Sequence, residues 1–211
     1  RDIYKGGERD YSAFAKNLTF RYSLINQGFR VSTLDLKADT AAVDIAEDID
    51  VLVIADVREA YTPEEVAKVQ RFLARGGDLI IACEPRRQSL MNPLVEKVGI
   101  TFMPGTVVED TQGYAANQLF LDPTEAAMKA NSEFYRMSRY GSKLSMPGAV
   151  EYQDSDSCGF QSTVLFATTS KAWNELQTTD FVDDIPSLNP ETSERMDSIP
   201  LVTRLVRQVG D

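Results

Sequence analysis

The sequence predicts an α/β fold: a mostly parallel sheet flanked by helices, flavodoxin-like or class I glutamine-amidotransferase-like, with a less regular C-terminal part. Three observations carry this expectation. Residues 51–55 and 79–83 are short apolar runs without alternation, as expected of strands covered on both faces. The strongest helix pattern in the chain lies between them. The composition, 43 % hydrophobic and 26 % charged over 211 residues, is that of a globular chain that buries roughly 70 % of its unfolded surface without needing a disulfide or a metal.

In chain order, residues 11–27 read as a helix, with Phe14, Leu18, Tyr22 and Ile25 near one face and Gly28 as its stop. Residues 29–36 have strand character, and the acidic stretch 38–50 reads as a connector. After the first apolar strand, Thr62 is an N-cap, Pro63 suits the first helical position and Glu65 completes a capping box. Val66, Val69, Phe72 and Leu73 form the apolar stripe, and Gly76-Gly77 ends the helix. Strand, helix and strand in this order predict a right-handed parallel βαβ unit. A short helix over 91–98, closed by Gly99, and a strand over 100–102 come next. Further on, 106–109, 118–121, 150–153 and 163–167 read as strands and 124–137 as a helix. Residues 178–198 are rich in Asp, Ser, Thr, Asn and Pro and read as a long surface loop. The expected division is an α/β parallel-sheet core over 1–110. Residues 111–211 form the remainder of the same domain or a small α+β extension, cut short at the C-terminus.

Charge and residue usage exclude several classes. A formal net charge of −10 repels nucleic acid, and the basic spots at Arg86-Arg87 and at Arg204 with Arg207 are too small to reverse it. There is no histidine, so neither a Cys-His nor a Ser-His nucleophilic site is available, and two cysteines alone cannot close a zinc site. Whether Cys83 and Cys158 pair cannot be read from sequence. Cys83 ends an apolar strand but lacks the glycines of a nucleophile elbow, so it is expected to be buried and unreactive. The run from Asp154 to Gly159 opens like a calcium loop but has Cys158 at the fifth position and Leu165 at the twelfth, where oxygen ligands are required. Asn17-Leu18-Thr19 fits a glycosylation sequon inside the expected first helix and is read as chance. No metal and no cofactor are expected. No apolar run reaches the ~20 residues that span a bilayer.

One constellation stands out. Asp56 and Arg58 follow the first apolar strand, and Glu84, Arg86 and Arg87 follow its expected neighbour. Parallel strands put both sets at one carboxyl edge, the edge where open sheets bind ligands. The simpler alternative is solvated loop charge forming weak surface ion pairs.

Residues 51–99 also resemble a family. The order is apolar strand, acidic-capped helix, Gly76-Gly77, apolar strand, the turn Glu84-Pro85 and a helix ending at Gly99. It is similar to the gliding-motility-type (GldG-like) ABC-transporter auxiliary family. Gly6-Gly7-Glu8 looks like that family's opening segment, and residues 160–173 look like its block of apolar strand, Thr-Ser and aromatic. The resemblance implies the amidotransferase-like or flavodoxin-like sheet without its catalytic residues, and carries over no catalytic positions. It implies an extracytoplasmic (periplasmic) domain of a bacterial membrane-anchored protein. The implied role is non-catalytic binding or scaffolding in an ABC-type transport system, with a permease or other membrane-complex subunits as partners. Membrane contact is expected only through segments outside these residues. Two alternatives remain open. One is a sensor domain for a small molecule or carbohydrate. The other is a carboxylate-dependent hydrolase using Asp56 and Glu84.

Overall fold

A computed structural model of the chain describes residues 15–37, 44–55, 57–110, 113–155, 158–177, 190 and 193–208. The chain divides into two compact units, Arg1–Asp44 and Ile45–Asp211.

In the first unit residues 15–16 are helical, as expected, but the helix expected over 11–27 does not continue beyond them. The next regular element is a 3₁₀ turn, Leu24–Gln27, closed by Gly28 in the left-handed region at φ 93°. The Ser23 hydroxyl and the Asn26 amide donate to backbone carbonyls between Asn17 and Phe20, and so compete for the acceptors of a regular helix. The expected strand over 29–36 is likewise absent. Residues 11–14 and 38–43 lie outside the described residues.

The second unit opens with the βαβ unit. Strand β1 (Val51–Ile54) pairs in parallel with β2 (Asp78–Ile81), Leu52 opposite Leu79 and Ile54 opposite Ile81, as expected. Helix α1 (Pro63–Ala74) connects them. Its capping box is complete: the Glu65 amide donates to Thr62 Oγ1 at 3.2 Å, and the Thr62 amide donates to Glu65 Oε2 at 2.8 Å. Val66, Val69 and Phe72 are buried. Gly76 closes the helix at φ 92°, while Gly77 is glycine for space, because a Cβ there would run into the Phe72 ring. Arg75 donates both terminal nitrogens to the carbonyls of Ile45 and Ala46, pinning the segment that leads into β1.

Beyond β2 the expected architecture is overturned. Helix α2 (Gln88–Val95) and a 3₁₀ turn lead to β3 (Ile100–Phe102), which pairs antiparallel with β7 (Tyr152–Asp154). Strand β4 (Thr106–Val108) pairs antiparallel with β9 (Trp173–Glu175). A four-stranded antiparallel sheet in the order β10-β8-β5-β6 combines Pro200–Val206, Gln161–Ala167, Gln118–Pro123 and Leu144–Pro147. Of the four sheets among the described residues only β1–β2 is parallel, so the mostly parallel, helix-flanked, flavodoxin-like or amidotransferase-like sheet is not what forms. The physical reason is visible in β1 and β2. Val51, Val53 and Ile80 are 42 %, 47 % and 56 % exposed, so the apolar runs are covered on one face only. Gly99, at φ 84°, then turns the chain toward residue 155, whose amide donates to the Gly99 carbonyl at 2.8 Å; β3 is thereby committed to β7 rather than to β2.

The expected helix over 124–137 is two short helices, α3 (Glu125–Ala130) and α4 (Ser132–Arg139). Asn131 sits between them in extended conformation, and its side chain accepts the Glu133 amide. The principal core lies in the antiparallel part: Val107, Leu119, Leu121, Ala149, Phe166, Ala172 and Ile199 are buried together. Phe134 of α4 meets Phe166 edge-on at 5.5 Å between ring centroids. Of the expected loop over 178–198, residues 190 and 193–198 are described and form no helix or strand.

Candidate functional site

The parallel register of β1 and β2 brings the two loops of the predicted constellation to one edge. The Ala82 amide donates to the Ile54 carbonyl at 3.0 Å, so both strands end at the same level. Asp56 lies outside the described residues. Beside it Val57 is buried, which roots the first loop, and Arg58 comes next, half-buried. On the second loop Glu84 is exposed, and its carbonyl accepts the Arg87 amide at 3.1 Å, closing a tight turn over Pro85 and Arg86. Arg86 has φ 68° and is, among the described residues, the one non-glycine in the left-handed region. A side chain held there costs on the order of 1 kcal/mol, which the turn maintains. Arg87 is the N-cap of α2, and its carbonyl accepts the Leu90 and Met91 amides.

What holds this edge in place has no counterpart among the sequence motifs. Gln88, buried in the first turn of α2, donates Nε2 to the Gly105 carbonyl at 2.8 Å. Asn92, one turn on, makes a two-point clasp with Phe102: Nδ2 donates to the carbonyl at 3.0 Å and Oδ1 accepts the amide at 2.9 Å. Pro85 abuts the glycine turn at Gly148. The turn carrying Arg86 and Arg87 is therefore fixed to the strands behind it.

Cys83 sits beneath this turn, half-buried rather than fully buried as expected, with its Sγ directed at the Glu84 carbonyl at 3.5 Å. Burial first, and the Glu84 charge second, push its thiol up to about 12. It is a poor thiolate and a poor nucleophile. No disulfide joins Cys83 and Cys158. In the acidic stretch that opens like a calcium loop, residues 156–157 lie outside the described residues, and Asp154 pairs within β3–β7.

A second polar group bears no sequence motif. Glu109, Glu175 and Glu194 are buried carboxylates. The Thr169 hydroxyl donates to Glu109; Trp173 Nε1 and the Gln177 amide donate to Glu175 at 3.2 and 2.9 Å; the Leu176 amide donates to Glu194 at 2.8 Å. Buried carboxylates met by donors in this way fasten β4, β9 and the chain entering β10. One cue was present in sequence: a buried Trp173 needs an acceptor for its indole N–H, and Glu175 lies on the same strand.

A family model described as "ABC-type uncharacterized transport system" matches residues 6–131. The chain belongs to this ABC-transporter auxiliary family. The match covers the βαβ unit, the charged edge and everything through α3. It agrees with the resemblance read from residues 51–99 at the level of the auxiliary family, and does not extend to the gliding-motility type. ABC-type transport systems are membrane complexes. No curated protein sequence matches the chain. Among solved structures, one titled "mmIFT52 N-terminal domain" aligns with a TM-score of 0.44 at 17 % identity, covering 58 % of this chain and 54 % of that chain. A likeness that low has no bearing on function. No helix among the described residues is long and apolar enough to cross a membrane. Of the acid–base pair considered for a hydrolase, Glu84 is exposed and Asp56 lies outside the described residues.

Proposed function

We propose that this auxiliary protein is a non-catalytic binding or scaffold domain of an ABC-type transport system. In this reading it works on the extracytoplasmic face of a bacterial membrane, as part of a gliding-motility-type assembly. The observation that carries the reading is the combination of family membership with a fixed edge bearing Arg58, Glu84, Arg86 and Arg87. Fixed charges of both signs suit orienting a polar partner surface, where they set the encounter rate and the register more than raw affinity. The strain at Arg86 supports the same reading, since a guanidinium presented at a cost to the fold has a use beyond folding.

The test is Arg86→Glu together with Arg87→Glu in the whole transport system, with co-purification of the complex and transport as readouts. Neither site is in the buried core, so the melting temperature of the chain should hold while the complex is weakened at least about tenfold. A double variant that assembles and transports normally shows that this edge is not the functional surface.

A further inference from the structure

Residues 15–34 hold their turns by side-chain-to-backbone hydrogen bonds: Asn26, itself exposed, donates Nδ2 to the carbonyls of Asn17, Leu18 and Phe20 at 3.2, 3.1 and 2.8 Å. The Ser23 hydroxyl, fully buried, donates to the Asn17 carbonyl at 2.7 Å, and Gln27 Nε2 donates to the Arg21 carbonyl at 2.9 Å. The Thr19 amide and hydroxyl both donate to Asn17 Oδ1. The apolar side chains face outward. Leu18, Tyr22 and Phe29 are 75 %, 65 % and 57 % exposed, and Phe20 and Ile25 are exposed beside them. An exposed apolar patch of this kind marks an interaction site.

We infer that this segment inserts shallowly into an anionic lipid surface. Charge selects that occupant. Between residues 15 and 34 the charged residues are Lys16, Arg21 and Arg30, with no Asp or Glu, in a chain whose net charge is −10. A basic segment with aromatic and aliphatic tips is the chemistry of interfacial membrane anchors. The same charge would meet itself in a second copy, which disfavours self-association. Arg21 lies over the Tyr22 ring at 5.5 Å, with the cation and the aromatic face side by side as the headgroup region requires. This contact differs from the expected one, which left the membrane to segments outside these residues. It does not rest on the transport-assembly reading, because it can be measured on the isolated chain.

The test is flotation of the full 211-residue chain with vesicles of phosphatidylcholine alone and of phosphatidylcholine mixed with phosphatidylglycerol. Binding is expected to the mixed vesicles only, and to fall with added salt. Arg21→Gln and Arg30→Gln should each weaken it roughly fivefold. Leu18→Ser with Phe29→Ser should abolish it with the melting temperature unchanged, since both side chains are exposed. The salt titration uses the unaltered chain and stands even if a variant misfolds. Equal binding to both vesicle types, or to neither, overturns the inference. So does a protein that crosslinks to position 18 while the vesicles remain bare.

Discussion

The two β regions of the second unit reverse the order of burial that their compositions suggest. β1 is purely apolar, Val51-Leu52-Val53-Ile54, yet alternate residues are exposed. β5 is mixed, running from Gln118 to Pro123, yet Leu119 and Leu121 are sealed in the main core. An apolar run states how much cover a strand can use, whereas the partners elsewhere in the chain decide how much it receives. The antiparallel sheet gathers its cover from residues far apart in sequence: Val107, Phe166 and Ile199 meet in one cluster.

Substitutions in the two regions should therefore differ sharply. Phe166→Ala removes a buried ring that packs edge-on against Phe134, and should cost about 3–5 kcal/mol in urea unfolding. A cost below about 1 kcal/mol would mean that the antiparallel sheet is not the principal core. A smaller effect belongs to the end of β2. The Cys83 thiol is raised from 9.0 to about 12, so the folded state holds a proton that the unfolded state releases between those values. The associated stability is complete below pH ~9 and is lost as the pH rises toward ~12. Cys83→Ser should flatten that decline, and thiol labelling of the folded protein near neutral pH should be slow. Rapid labelling would show that the half-buried side of the β1–β2 unit is open. Least of all, Ile80→Thr on the bare face of the parallel pair should change stability by about 0.5 kcal/mol or less while raising solubility. A large loss there would show that this face is covered in solution.

How much was legible in the sequence depends on the range of the forces involved. The capping box at Thr62 and Glu65, the stop at Gly76 and the parallel pairing of β1 with β2 depend on neighbours along the chain, and all were legible. The helix expected over 11–27 had suitable apolar spacing, but Ser23 and Asn26 offered the backbone another set of hydrogen bonds, which spacing does not register. The single helix expected over 124–137 failed for a reason present in the letters: Asn131-Ser132 is itself an N-cap signal. The pairing of β3 with β7 and of β4 with β9 had no local mark, and with it went the overall architecture. At the charged edge, strand order placed Arg58, Glu84, Arg86 and Arg87. The clasp by Asn92 and the left-handed Arg86 belong to tertiary structure alone.

That clasp gives the edge a mechanical property. Asn92 grips both backbone groups of Phe102, and Gln88 grips Gly105, so α2 is riveted to the end of β3 and to the residue before β4 at two points one helical turn apart. Two rivets on one bar resist rotation as well as sliding. A load applied at Arg86 and Arg87 is not absorbed by a swinging helix but passes through β3 and β4 to their partners β7 and β9. The charged turn is the exposed end of a stiff lever whose other arm lies in the antiparallel half of the molecule.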